Sequence, residues 1–87
     1  MQFHITYQVT SEHRDEVQAL FKKTGARPPE SVTMKGRWHS INGDEGYIIA
    51  ETSKSEAMGK WIQEWSDKLS FKVVPVLTDE EVAKIIG

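Results

Sequence analysis

A chain of 87 residues with no cysteine excludes a disulfide scaffold, a thiolate nucleophile and any cysteine-held zinc or iron–sulfur centre. Its 11 basic and 13 acidic side chains give a net charge of −2 and are interspersed, so there is no basic footprint for nucleic acid. No apolar run approaches the ~20 residues of a membrane span, and Met1–Thr10 shows no basic stretch leading into an apolar core. These features set the expectation of a cytoplasmic protein with neither a membrane nor a nucleic-acid partner.

The length suits one domain over 1–87. Phe3, Ile5, Tyr7 and Val9 alternate with Gln2, His4, Thr6 and Gln8, the period-two pattern of a half-buried strand. Thr10 or Ser11 is placed to cap a helix carrying Val17, Ala19, Leu20 and Phe21, with Gly25 as its left-handed stop. Arg27-Pro28-Pro29 cannot extend that helix. Val32, Met34 and Trp38 then alternate with Thr33, Lys35, Arg37 and His39 in a second strand, where Gly36 offers a bulge.

Asn42–Gly46 reads as a hairpin tip and Tyr47–Thr52 as a third strand. Two registers fit. A longer loop pairs 39 with 47, sets Arg37 opposite Ile49 and Lys35 opposite Glu51, and gathers Arg37, His39 and Tyr47 on one face. A tight Asn-Gly turn pairs 41 with 44 and puts Trp38 with Tyr47 and Ile49 instead. The longer loop is preferred, because Asp44-Glu45-Gly46 is poor strand material.

Ser53 with Glu56 has the spacing of a capping box, ahead of Ala57, Met58, Trp61, Ile62, Trp65 and Leu69 at helical spacing. Phe71, Val73, Val74, Val76 and Leu77 form a fourth strand apolar on both faces, and Pro75 confines it to a sheet edge. Thr78 with Glu81, or Asp79, starts a short last helix through Val82, Ile85 and Ile86. The order β-α-β-β-α-β with a C-terminal helix predicts an α+β, ferredoxin-like sandwich. A fold this small buries only about 60% of its unfolded surface, and without disulfides or metal its remaining support is a second copy.

Gly36-Arg37-Trp38-His39, the Asn-Gly-Asp-Glu-Gly tip, Trp61-x-x-x-Trp65-x-Asp67 and Val74-Pro75-Val76-Leu77-x-Asp79-Glu80-Glu81 occur in an order, with Gly25-Ala26-x-Pro28-Pro29, that covers nearly the whole chain. In these motifs the sequence resembles a family of small bacterial proteins in the dimeric α/β-barrel superfamily. That family lends no activity. The superfamily includes cofactor-free monooxygenases, muconolactone-isomerase-like enzymes, haem-handling proteins and stress-response proteins. The resemblance implies a homodimer with sheets packed face to face, forming a dimeric α/β barrel, and a cavity between sheet and helices. Fold does not choose among those functions.

The candidate chemistry centres on His39, a group that titrates near neutrality, and Arg37, whose guanidinium can clamp a carboxylate or stabilise an enolate. The structural reading of the two is polar residues of a dimer face, with Arg37 in an ion pair to a carboxylate such as Glu51. Trp38, Tyr47, Trp61, Trp65 and His4 are candidate ligand-binding residues, although a tryptophan pair one helical turn apart reads first as core. His4 and His39 fall about two strand spacings, ~10 Å, apart and at opposite strand ends, so no metal site is expected. No phosphate loop, calcium loop or nucleophile elbow occurs, and no cofactor is implied. Two functions remain: a non-catalytic dimeric or interaction module, which the priors favour, and a small-molecule binder or cofactor-independent enzyme acting on an aromatic or enolisable acid. A void of ~300 Å³ or more with convergent polar groups separates the second from the first.

Overall fold

The computed structural model describes all 87 residues, in the order β1 (Gln2–Gln8), α1 (Arg14–Thr24), β2 (Thr33–His39), β3 (Glu45–Glu51), α2 (Ser55–Trp65), β4 (Ser70–Val76) and α3 (Asp79–Ile86). The strands form one antiparallel sheet in the order β2-β3-β1-β4, the ferredoxin-like α+β arrangement. β4 with Pro75 lies at an edge, where a missing N–H costs no ladder bond.

The alternation in β1 puts Phe3 and Ile5 under the helices, where they pack with Ile48, Ala50, Met58 and Trp61 into the buried core. The opposite face of the sheet carries His4, Thr6, Tyr47, Ile49 and Val74, with Trp38 57% exposed. Gly36 leaves room for that indole, because a Cβ there would stand only 2.4 Å from the nearest Trp38 ring atom.

The hairpin adopts the register that pairs His39 with Gly46, Trp38 with Tyr47 and Arg37 with Ile48, so the longer-loop register is overturned. Glu45 and Gly46 are strand residues. The backbone closes with Ser40 N–H donating to the Glu45 carbonyl at 2.8 Å and Gly43 N–H to the Ser40 carbonyl at 3.0 Å. The Ser40 hydroxyl accepts from Glu45 N–H and donates to Asp44 Oδ1, and the Glu45 carboxylate accepts from Gln8 Nε2 and the Tyr47 hydroxyl, so the polar groups that made this stretch look unfit for a strand are satisfied. A bulge between Met34 and Gly36 shifts the pairing by one, and Lys35 still reaches Glu51 at 3.6 Å. Arg37 stands across from Ile48, not Ile49, and Glu51 is not its partner.

Helix starts differ from expectation in two cases out of three. Residues Thr10–His13 close a turn, with His13 N–H donating to the Thr10 carbonyl, so α1 begins at Arg14 and neither Thr10 nor Ser11 caps it. Asp15 and Glu16 face its positive end instead. The Ser53–Glu56 box does not form either. The buried Thr52 hydroxyl takes the Lys54 N–H and donates to the Ser31 carbonyl, tying the start of α2 to the α1–β2 connection. Gly25, at φ 73°, ends α1, and the Thr78–Glu81 box caps α3, both as expected.

Candidate functional site

His39, Gly46, Tyr7 and Phe71 are register partners in a single row that crosses β2, β3, β1 and β4 on the helix side. His39 and Tyr7 therefore stand two strand spacings apart, ~10 Å between backbones. Gly46 fills the position between them with no side chain, and a Cβ there would stand 2.0 Å from the nearest Tyr7 ring atom, well inside contact distance. The phenol lies across that gap, with its oxygen 2.7 Å from His39 Nδ1. The two rings meet edge to face, and Phe71 packs against Tyr7 from the other side at 6.5 Å.

Helix α1 closes the row from above. Its Phe21 ring meets the His39 imidazole edge-on at 5.2 Å, and the Arg37 guanidinium lies 4.7 Å from the centre of the same ring, a cation–π contact. Arg37 Nη1 donates to the Ala26 carbonyl at 2.9 Å and Nη2 to the Gly25 carbonyl at 3.0 Å. The residue expected to clamp an anion thus also fastens the end of α1 to β2. It has no carboxylate partner.

Burial and the Arg37 charge act on both members of the Tyr7–His39 pair. Burial pushes the Tyr7 phenol up, with Arg37 opposing. Burial and then the Arg37 charge hold His39 below the ordinary histidine range, so near pH 7 phenol and imidazole are both neutral. Such a pair has two arrangements. If Tyr7 O–H donates to Nδ1, Nε2 carries the ring proton; if Nδ1–H donates to the phenol oxygen, Nε2 is bare and can accept a proton.

These groups border a cavity of about 320 Å³ between the sheet and both helices. Trp61, Ile62 and Trp65 of α2, Val17 and Phe21 of α1, and Leu69 supply much of its apolar wall. Arg37 is the one formally charged side chain in the lining; Tyr7, His39, Ser40 and Gln18 are the polar groups.

The structure brings together His39, Arg37, Trp61 and Trp65 from the candidates. It does not bring Trp38, Tyr47 or His4 to them. Those three lie on the opposite face of the sheet, Tyr47 because of the changed register. His4 and His39 face opposite ways, and no group of three His, Asp or Glu side chains gathers as a metal cluster. Tyr7 and Gly46 were the residues overlooked. The signal for Tyr7 was a hydroxyl among the inward positions of β1, since a tyrosine oxygen in a partly buried place needs a partner.

The profile of the domain of unknown function DUF3303 matches residues 1–87, and the chain belongs to that family. Among solved structures it is similar to Rv0793 of Mycobacterium tuberculosis, at 11% identity over 91% of this chain and 98% of that one, with a TM-score of 0.50. A candidate antibiotic biosynthesis monooxygenase of Deinococcus radiodurans is similar at 12% identity over 88% of this chain and 92% of that one, with a TM-score of 0.49. At such identities the likeness is one of fold. No curated protein matches the sequence.

Proposed function

We propose that this DUF3303 domain binds a small aromatic molecule bearing a weakly acidic hydroxyl or enolisable group, in the cavity between its sheet and helices. The observation that carries the reading is the cavity of about 320 Å³, apolar and aromatic except where Tyr7, His39 and Arg37 converge. A module packed for assembly alone has no use for such a void, whereas ligand sites are concave, largely apolar and equipped with a few placed polar groups.

In this reading the flat apolar part of the ligand lies among Trp61, Trp65 and Phe71, and its acidic group meets the Tyr7–His39 pair. Neutral His39 accepts the ligand proton at Nε2 while Nδ1–H is held by the Tyr7 oxygen. Negative charge develops on the ligand oxygen as that proton is drawn toward the ring. Arg37, the sole cation of the lining, stabilises that charge through the low-dielectric wall. No cofactor enters this step.

The test is titration with 2-naphthol of a Trp38→Phe variant, in which the remaining tryptophans, Trp61 and Trp65, both line the cavity. Saturable quenching that is lost in the Arg37→Ala/His39→Ala double variant is the expected result. Quenching without saturation, or undiminished in the double variant, sinks the reading.

A separate observation favours a homodimer through the opposite face of the sheet. The open sheet face exposes Trp38, Tyr47 and Val74 together, with His4 among them. An aromatic centre rimmed by Gln2, Gln8, Glu45 and Glu51 has the make-up of an interface. A second copy seated on this face would bury it, and Trp38, Tyr47 and His4 then serve assembly and not the ligand.

A further inference from the structure

The C-terminal segment behaves unlike the rest of the fold. α3 has a complete capping box, with the Thr78 hydroxyl accepting from Glu81 N–H and the Glu81 carboxylate accepting from Thr78 N–H, so the helix is well started. Yet every residue from 79 to 87 is exposed, and no hydrogen bond or ion pair ties α3 to the body. An eight-residue helix is marginal alone in water and takes its stability from packing an apolar side. That side exists here: Val82, Ile85 and Ile86 share one helical face, Ile85 is 70% and Ile86 80% exposed, and Leu77 precedes them.

The dimensions tell the same story. The radius of gyration is 14.2 Å, where a compact domain of this length has about 12 Å. The molecule extends 48 Å along one axis against 26 and 18 Å along the others. It exposes 6273 Å², where a monomer of 9.9 kDa typically exposes about 5,200 Å². The surplus exceeds the ~800 Å² that each partner contributes to a standard interface.

We infer that Leu77–Gly87 is an exchanged arm: in the homodimer each copy lays its α3 across the open sheet face of the other. The inference rests on the dimer reading and adds to it the element that holds the copies together. A second copy is the fitting occupant because one chain carries both halves of the contact, the apolar arm and the aromatic face of Trp38, Tyr47 and Val74, as a two-fold interface requires. The arm carries −2 from Asp79, Glu80 and Glu81 against Lys84, and Lys72 on the receiving face has no carboxylate partner in its own copy; Glu45 and Glu51 share that face, so the apolar match and not charge carries the placement.

Sedimentation equilibrium of the full chain and of Ile85→Glu/Ile86→Glu tests this. A dimer in wild type whose dissociation constant rises about tenfold or more in the variant, as loss of interface anchors should produce, is the expected result. A variant that dimerises as tightly as wild type overturns the arm and leaves the face-to-face dimer standing. A monomeric wild type removes both. The chain has no cysteine, so a mixture of Ile85→Cys and Tyr47→Cys copies treated with a bismaleimide gives an independent answer that does not need the charged variant to fold. Linked heterodimers are expected, and their absence from a dimeric sample overturns the placement.

Discussion

The Tyr7 phenol and the His39 imidazole meet at 2.7 Å although their strands are not neighbours in the sheet. β3 runs between them, and the contact exists because β3 presents Gly46 at that row. One hairpin register puts the glycine there. The other would put Tyr47 opposite His39, with a ring where Tyr7 now lies. The polar end of the cavity is thus a consequence of register as much as of residue type.

Burial and Arg37 lower the His39 pKa, so His39 stays neutral to a lower pH than a free imidazole. Binding of 2-naphthol should stay level from pH 8 to about 6.5, the ordinary histidine value, and fall only below it. Since the unfolded chain takes up its proton first, thermal stability should also begin to drop as pH falls through about 6.5. His39→Gln should remove both effects. A binding curve that already declines between pH 8 and 7 contradicts a lowered His39.

Arg37 has a structural task that the expected pairing with Glu51 did not foresee. Its two hydrogen bonds to the Gly25 and Ala26 carbonyls and its stacking on Phe21 fasten α1 to the sheet. Arg37→Ala should therefore cost about 1.5–3 kcal/mol in urea unfolding, the range for hydrogen bonds to a charged group. Arg37→Lys should recover only part, because an ammonium cannot span two carbonyls as a planar fork does. Lys35→Ala, which breaks the exposed contact with Glu51, should cost ~0–1 kcal/mol. Equal losses from Arg37→Ala and Lys35→Ala would mean the carbonyl clamp contributes nothing.

The fold was legible because its signals are local: alternation in β1, helical spacing in α2, Gly25 after α1, Pro75 at an edge, and the Thr78–Glu81 box. Ser53 misled because Thr52, one residue earlier, is held by the Ser31 carbonyl from a distant connection. The site was half legible. His39 and Arg37 stood out by chemistry, but Tyr7 is 32 residues from His39 in sequence, and its approach depends on an empty position in a third strand. Nothing in the spacing of Asp44-Glu45-Gly46 shows that Ser40 supplies hydrogen bonds that let Glu45 and Gly46 join β3.

The two helix tryptophans should separate. Trp61 is 4% exposed and belongs to the core, whereas Trp65 is half-buried beside the cavity. Trp61→Ala should cost about 3–5 kcal/mol, as deletion of a large buried aromatic does. Trp65→Ala should cost roughly 1–2 kcal/mol, nearer the ordinary mutational loss, while weakening 2-naphthol binding. Chemical denaturation and the quenching titration read both. Equal destabilisation would make Trp65 a core residue and remove it from the ligand wall.

Gly46→Ala is the most direct probe of how the site is built. A single methyl there overlaps the Tyr7 ring, so either the ring leaves His39 or the strands part. Overpacking of this kind costs about 1–3 kcal/mol. The expected signature is coupling: Gly46→Ala should be damaging with Tyr7 present and nearly harmless in a Tyr7→Ala background, where the space is free. Ligand binding should fall in Gly46→Ala even under conditions where the variant is fully folded. Additive effects of the two substitutions, or unchanged binding in Gly46→Ala, would show that the gap over β3 does not position the phenol.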